Sequence, residues 1–468
     1  MVWLKMPSAP LFEPTVISGL FKVGLDHRPD SRGWFEEIWQ SQKWASSPLS
    51  WFRPLQQNSS SNLVAGSTRG LHAEPWNKLV TVVSGRAFCV WVDLREGESF
   101  GKRHWQTLSP GEAFFVPEGV ANGYQSLEPN TVYTYLVDGH WSANASYPAV
   151  NPFDLQLEIP WPIAQKSAEV SEKDRQSPSF NSSIAIPCPQ TIVFGSSGQV
   201  GSELRRAIPQ SRVGNRSEIA TFSGDGKRYS AIINAAAYTA VDSAENPSAW
   251  SQVLESNQVL VDELASLAID LNTTLVHYSS DYVFDGIKAD PWREDDLPNP
   301  LSRYGQSKLL GDYVAKSLQR HYLIRTSWVY GAGRNFVRTM YERAIQGLTS
   351  DVVGDQYGRP TWARDLALFT KFLVDTRAPF GTYNFTGSGE PVSWHDIAVY
   401  VYQFLGKDPG LVSKITSETF ASENPHFAPR PKNSVLDLKK TGDSGFNPPE
   451  WPDSLAQYLA SLSQSATP

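Results

Sequence analysis

Two rhythms of hydrophobic and polar residues divide this chain. Up to about residue 180, short apolar or alternating stretches are cut every few positions by Gly, Pro and Asn. KLVTVVSG, AFCVWVDL, EAFFVPEG and TVYTYLVDG are the clearest of them. Runs of that length, rich in Val, Tyr, Phe and Thr and bounded by turn residues, predict strands, and their spacing predicts an all-β sandwich or barrel. Further on, TIVFG, AIINAAAY and TTLVHYSS read as short buried strands separated by helical stretches such as SAWSQVLESNQVLVDELASLAIDL. Strands alternating with helices predict a parallel sheet with helices on both faces. Between the two regimes, Gln176 to Gln190 (QSPSFNSSIAIPCPQ) is rich in Ser and Pro and lacks a helical period, which marks it as the linker.

Length agrees with this division, because 468 residues exceed what one hydrophobic core serves. The net charge of -7 and pI near 5.7 argue against a nucleic-acid partner, which needs a basic footprint. An anionic substrate must then be met by a few local Arg and Lys residues. The two cysteines, Cys89 and Cys188, fit a reduced, cytoplasmic protein, although one disulfide between them stays open. No apolar run reaches about 18 residues, and the N-terminal MVWLKMPSAP has no signal-peptide core, so neither membrane nor secretion is expected.

Candidate chemistry follows the same division. In the second half, TIVF runs into Gly195, Gly198 and Gly201 and then into a helix-like SELRRA. Such glycines permit a tight turn, close approach of the backbone to a pyrophosphate, and close helix–strand packing. The helix N-terminus adds N–H donors for the phosphates. Tyr304 and Lys308 stand four apart, hence on one helix face, and Ser280 ends a predicted central strand 24 residues earlier. A ketone reductase needs this set: a hydroxyl for the carbonyl, a phenol to protonate the alkoxide, and a cation beside it to lower the phenol's pKa. Any one of these alone is an ordinary surface or strand-end residue.

With GSSGQVG, INAAAYTAVDSAE, SSDYVFDG, YGQSK, RTSWVYG, NFV, VVGDQYGRPTWARDLA and RPKNSVLD in this order from Thr191 to Trp451, the second half resembles the dTDP-4-dehydrorhamnose reductases. These are extended short-chain dehydrogenases. The resemblance implies a Rossmann-type doubly wound sheet with a small substrate-binding lobe. It makes Ser280, Tyr304 and Lys308 the catalytic trio and Trp328 and Asn335 substrate contacts. The cofactor cleft would be lined by Gly195, Gly198, Gln199, Val200, Gly201, Ala235, Ala236 and Ala237, together with Tyr304 and Lys308. Between the Gly turn and INAAAY the chain is shorter than usual and no acidic ribose ligand is evident. Arg212 or Arg216 could meet a 2′-phosphate instead, which favours NADPH, with NADH as the alternative.

In the first half, DSRGWFEE, LQQNSS, RGLH, NKLV, WVDLR, FVPEGVANGY, TYLV, IPWP and SEKD recur in order over residues 17–180. They resemble the dTDP-4-dehydrorhamnose 3,5-epimerases, a double-stranded β-helix (cupin-like jelly roll) family. Taken singly, His72 is more often structural than a base, and His72 with Glu74 lacks the second nearby His that a metal site would want. No metal ligand is therefore assigned, and Mg2+ is left open. The resemblance implies His72 as the base, Asp174 as its partner, Tyr135 as the acid on the opposite face, and Lys78 for the enolate oxygen. Arg69 and Arg32 would clamp the diphosphate, and Glu37, Gln56, Asn58, Asp93 and Asn122 would complete the substrate contacts. Asn122 stands where relatives have His, which puts inversion at both carbons in question.

These readings give an epimerase-like β domain over 1–182, a linker over 183–189 and a reductase-like domain over 190–468. Together they predict a bifunctional enzyme making dTDP-L-rhamnose from dTDP-4-dehydro-6-deoxy-D-glucose, homo-oligomeric, with a nucleotide sugar as its partner. The alternatives are the same two steps on another 4-keto-deoxysugar nucleotide, or a regulatory protein with one inactive domain.

Overall fold

In the computed structural model, residues 10–44, 47, 49, 51–140, 147–224, 227–424 and 426–465 are described. The N-terminal expectation on Met1–Ala9 lies outside them. The chain forms two units, Met1–Cys188 and Pro189–Pro468. Among the described residues no helix is long and apolar enough to cross a membrane. Cys89, buried, and Cys188, exposed, are both free thiols.

The first unit contains β1 (Leu11–Pro14), β2 (Phe21–Gly24), β3 (Asp26–Asp30), β4 (Gly33–Glu37), β5 (Gln56–Asn62), β6 (Ser67–His72) and β7 (Lys78–Ser84). They continue as β8 (Ala87–Asp93), β9 (Arg103–Leu108), β10 (Glu112–Val116), β11 (Val120–Ser126), β12 (Thr131–Val137) and β13 (Glu169–Val170). A six-stranded sheet in the order β1-β2-β10-β7-β12-β5 faces a five-stranded sheet in the order β13-β6-β11-β8-β9, while β3 and β4 form a separate hairpin. Every pairing is antiparallel except β13 with β6.

Strand β8 shows why the sheets pack as they do. Its side chains alternate, so Cys89 and Trp91 point to the inter-sheet core with Val80, Val82, Phe114 and Tyr133. Phe88, Val90 and Val92 point the other way, into a second core with Leu71, Val150, Leu157 and Ile186. Both faces of the five-stranded sheet are thus covered, which accounts for a strand buried at every position. Ile186 is held by two backbone hydrogen bonds, donating to Leu94 at 2.7 Å and accepting from Glu96 at 2.9 Å. Most of the Ser- and Pro-rich stretch is therefore structure of the β unit.

The second unit has a parallel sheet of β14 (Gln190–Phe194), β15 (Arg212–Gly214), β16 (Tyr229–Asn234), β17 (Thr274–Ser280), β18 (His321–Thr326) and the strand Gly381–Asn384, in the order β15-β14-β16-β17-β18-Gly381–Asn384. Alternation again assigns the faces. Ile192, Ile232, Leu275 and Leu323 pack under the helix Leu260–Asp270, whereas Val193, Ile233, Val276 and Ile324 pack under the helix Ala363–Thr376. The strand order reverses between β14 and β16, and ligands bind at the carboxyl ends of strands at such a switch point. A lobe with its own core is built from the helices Phe336–Ile345, Trp394–Phe404 and Trp451–Ser465.

Candidate active sites

The first unit opens a cavity of about 560 Å3 lined by Arg69, His72, Lys78, Asn122, Tyr135 and Asp174, among others. Strand β6 carries Arg69 and His72, β7 begins at Lys78, and β12 presents Tyr135 beside Val80. Asp174 comes from a one-turn helix, Glu172–Arg175, whose cap Ser171 accepts the Asp174 N–H at 3.1 Å. Its carboxylate accepts from His72 Nε2 at 2.7 Å and from the Gly70 N–H at 3.3 Å. Gly70 has φ +103°, and a Cβ there would stand 2.7 Å from Asn122 O and from Gly123 Cα. Only glycine lets β6 lie this close to β11 while its N–H faces Asp174.

The electrostatics separate an acid from a base. Burial raises the pKa of Asp174, but hydrogen bonds from His72 and the Gly70 N–H outweigh it, so the carboxyl lies below its ordinary value. An ionised Asp174 fixes the imidazole tautomer and leaves Nδ1 for the substrate. Burial, with help from the Glu74 charge, pushes the Tyr135 phenol up to about 12, against Arg69. It is a neutral proton donor at physiological pH. The Lys78 ammonium pairs with Glu74 and stands 5.7 Å from the Tyr135 ring centroid. Glu74 was not singled out as a site residue, although its place four residues before Lys78 was a signal for an ion pair.

Other assigned residues lie elsewhere. Asp93 is fully buried and grips Arg95 through both oxygens, at 2.8 and 2.6 Å, so it braces the end of β8 and does not line the cavity. Arg32 is exposed on the β3–β4 hairpin and paired with Asp30, and Glu37 pairs with Lys43 at 2.7 Å. Gln56 donates to Asn58 at 2.8 Å on β5, where Asn58 stands across from Tyr135. None of these four lines the cavity. Asn122 does, accepting the Tyr133 hydroxyl at 3.2 Å.

The second unit holds a cavity of about 500 Å3 at the carboxyl ends of β14, β16 and β17. Gly198, Gln199, Val200, Ala235, Ala237, Ser280, Tyr304, Lys308, Trp328 and Asn335 all line it. Gly195, Gly201 and Ala236 stand behind that lining. Gly195 has φ +74° and a Cβ there would meet Ala236 N at 2.4 Å; one at Gly201 would meet Gly195 O at 2.0 Å. These two glycines serve the turn and the helix–strand contact. Gly198 caps the helix Gln199–Ala207 without a side-chain hydrogen bond, leaving that helix's first N–H groups for a ligand. This cradle fits the pyrophosphate of a dinucleotide.

Tyr304 and Lys308 sit on the helix Arg303–Lys316, which begins where Ser302 accepts the Gly305 N–H at 3.1 Å. A Cβ on Gly305 would lie 2.2 Å from Tyr282 O, so the helix presses against the segment after β17 and brings the Tyr304 phenol to the Ser280 hydroxyl. Ser280 Oγ donates to Asp281 Oδ1 at 2.9 Å, and Ser434 donates to the other oxygen. Burial drives Asp281 up to about 6 despite these bonds. Asp281 was missed as a site residue, although it sits inside SSDYVFDG.

One electrostatic expectation is corrected. Lys308 does not hold the Tyr304 phenol low in the protein alone. Burial and the Asp281 charge push Tyr304 up, and burial brings Lys308 itself down to about 8 against the pull of Asp312. Desolvation is the largest influence on both groups. The arginines expected to meet a 2′-phosphate are also engaged. Arg216 is gripped by Glu263 at 2.6 and 2.7 Å and by Glu255 at 2.5 Å, and Arg212 donates to Tyr229 at 2.8 Å. Trp328, at φ +52°, stacks on Trp394 with ring centroids 3.9 Å apart, and the latter residue was not foreseen. Asn335 caps the helix Phe336–Ile345 by accepting the Arg338 N–H at 2.9 Å. Among the described residues no group of three or more His, Cys, Asp or Glu is placed to hold a metal.

A hydroxyl, a phenol and an ammonium beside a dinucleotide cradle define a nicotinamide-dependent ketone reductase, and a His–Asp dyad facing a neutral tyrosine defines a proton-shuttling isomerase. Comparison with known proteins agrees. The family model described as RmlD substrate binding domain matches residues 190–464, and that for dTDP-4-dehydrorhamnose 3,5-epimerase matches residues 14–182. The dTDP-4-dehydrorhamnose reductase of Aggregatibacter actinomycetemcomitans is 36% identical over 295 residues, 58% of this chain and 98% of that protein. A crystal structure of the Clostridium acetobutylicum reductase is 32% identical over 58% of this chain and 99% of its own, with a TM-score of 0.53. That of the Bacillus anthracis reductase, in complex with NADP, is 28% identical over 58% of this chain and 99% of its own, with a TM-score of 0.52. The chain belongs to the dTDP-4-dehydrorhamnose reductase family and carries a dTDP-4-dehydrorhamnose 3,5-epimerase domain ahead of it. It is an enzyme with an epimerase half and a reductase half.

Proposed function

We propose that the chain converts dTDP-4-dehydro-6-deoxy-D-glucose to dTDP-L-rhamnose, each half using its own cavity. In the first, His72 takes the proton beside the C4 ketone while Asp174 holds its ring. Tyr135 returns a proton from the opposite face, and Lys78 stabilises the enolate oxygen, a contribution of about 3 kcal/mol for such a group. Arg69 at the cavity wall meets the diphosphate. In the second, a reduced nicotinamide supplies the hydride when bound. Ser280 orients the ketone, Tyr304 protonates the C4 oxygen, and Lys308 holds the cofactor ribose and the charge beside Tyr304. The aromatic wall of Trp328 and Trp394 receives the sugar. The 2.7 Å contact between His72 and Asp174, residues 102 positions apart, carries the epimerase reading most directly.

NADPH as the preferred hydride donor belongs to the same reading. Its support is Asn215, which directly follows β15 in a place where a carboxylate would repel a 2′-phosphate. A domain boundary within residues 183–189, homo-oligomeric assembly and a cytoplasmic setting complete the proposal. The decisive experiment is isotope exchange. In heavy water without nicotinamide, the protein washes deuterium into C3 and C5 of the keto-sugar, and adding NADPH then yields dTDP-L-rhamnose by NMR. Exchange at one carbon only would restrict the epimerase half to a single inversion, and no exchange would overturn its assignment.

A further inference from the structure

Below Lys308 the reductase core holds an unusual set of charges. Tyr304, Lys308 and Asp312 follow at intervals of four along the helix Arg303–Lys316, so they share one face. Lys308 is 3% exposed and Asp312 is fully buried, as is Arg325 on β18. Arg325 Nε stands 3.5 Å from Asp312 Oδ2, within ion-pair range, and Arg325 also donates to Glu294 O at 3.1 Å. Ser279 on β17 faces Asp312, yet among the described residues neither Asp312 oxygen has a close hydrogen bond; burial raises the Asp312 carboxyl above its ordinary value, and Arg325 is the strongest influence opposing its protonation. His277, also on β17, faces Lys308 as well. Burial and the Lys308 charge keep it neutral, so it adds no charge. Lys316, one turn beyond Asp312, faces the same carboxylate from the exposed end of the helix.

A buried ion pair is a poor way to add stability, because an apolar pair of the same size commonly serves as well or better. We propose that Asp312 is a positioning residue of the reductase, keeping the ammonium of Lys308 charged inside the domain, while Arg325 keeps Asp312 ionised. This rests on the reading of Lys308 as a working group of the site. Burial already brings Lys308 down to about 8, with Asp312 the opposing influence. Without the Asp312 charge, burial acts on Lys308 with that opposition removed, and the lysine gives up its proton nearer neutral pH. The sign is fixed: a charged Lys308 is present below its pKa and lost above it.

The test is a ¹³C NMR titration of the lysine ε-carbons in the full chain, with the Lys308 signal assigned by its loss in Lys308→Met. Asp312→Asn should lower the Lys308 midpoint by about one pH unit or more. The high-pH limb of kcat for reduction should move down with it, giving about a fivefold loss at pH 8, about tenfold by pH 9, and near-normal turnover at pH 6. Asp312→Glu should keep the limb in place. An unmoved midpoint in Asp312→Asn overturns the proposal. Should that variant not fold, the carboxyl ¹³C signal of Asp312 in the unaltered protein decides: ionised from pH 5 to 9 supports the proposal, protonated at pH 7 overturns it. Normal reduction by Lys308→Met would instead refute the catalytic reading of Lys308, and the titration would still report the coupling.

Discussion

The two cavities solve one problem, moving protons beside a sugar ketone, by opposite structural means. In the β unit the working groups come from separate strands and a one-turn helix, and His72 meets Asp174 across 102 residues of chain. In the reductase, Tyr304 and Lys308 lie on one helix face, and Ser280 is a single crossover away. The first arrangement depends on sheet register and on backbone details such as Gly70. The second is preset by helical periodicity. The surroundings differ as well. His72 keeps a third of its side chain exposed, whereas Lys308 and Tyr304 are buried. Burial governs the reductase acids and bases, while direct hydrogen bonds decide the charge of the epimerase carboxylate.

The sharpest way to break this comparison is to remove one proton carrier at a time. His72→Ala should cost about 10⁴-fold in deuterium exchange, at the upper end for losing a general base, and leave reduction of pre-epimerised sugar intact. Tyr304→Phe should do the reverse, lowering NADPH consumption about 10³-fold without touching exchange. If Tyr304→Phe also stopped exchange in a folded protein, the two halves would not be independent sites. A substitution less severe than His72→Ala isolates the long-range contact. Asp174→Asn keeps shape and loses charge, and should slow exchange about 10³-fold by leaving the imidazole in the wrong tautomer. Steady-state exchange rates across pH 6 to 8 measure it, and a loss under tenfold would make Asp174 a merely structural neighbour.

Burial in the reductase has a stability signature of its own. Asp281 carries a folded-state pKa of about 6 against an ordinary 3.8, so the native state binds its proton more tightly than the unfolded chain does. That contribution is present below the unfolded value and lost as pH rises through about 6. The shift corresponds to roughly 3 kcal/mol. Asp281→Asn should therefore stabilise the reductase unit above pH 6 and be nearly neutral at pH 4, as read by denaturant unfolding. Equal effects at both pH values would place Asp281 outside this balance. The smallest expected effect concerns the cofactor. With Asn215 where an acid would repel a phosphate, kcat/KM should favour NADPH over NADH by a few-fold, on the order of 1 kcal/mol. Equal use of both would remove Asn215 as a determinant.

Much of this was legible in the chain itself. Short runs rich in Val, Phe and Thr, cut by turn residues, marked KLVTVVS and AFCVWVD as strands, and the apolar runs TIVF and AIIN marked a buried parallel sheet, because strand propensity and turn chemistry are set by local backbone geometry. The Gly195–Gly201 turn and the Tyr304–Lys308 face were readable for the same reason. What the chain could not show were quantities that exist only once distant segments pack. Asp93 looked like a substrate contact, yet the fold buries it against Arg95. Arg216 looked free for a phosphate, yet Glu255 and Glu263, far along the chain, enclose it. Lys308 was expected to lower Tyr304, yet removing both from water reversed the balance. Trp394 and Asp312 acquired their places only when the lobe and β18 closed on them. Periodicity and turn chemistry are local and survive in the unfolded chain. Desolvation and ion pairing depend on what the tertiary structure brings within a few ångströms, and there the fold alone decided.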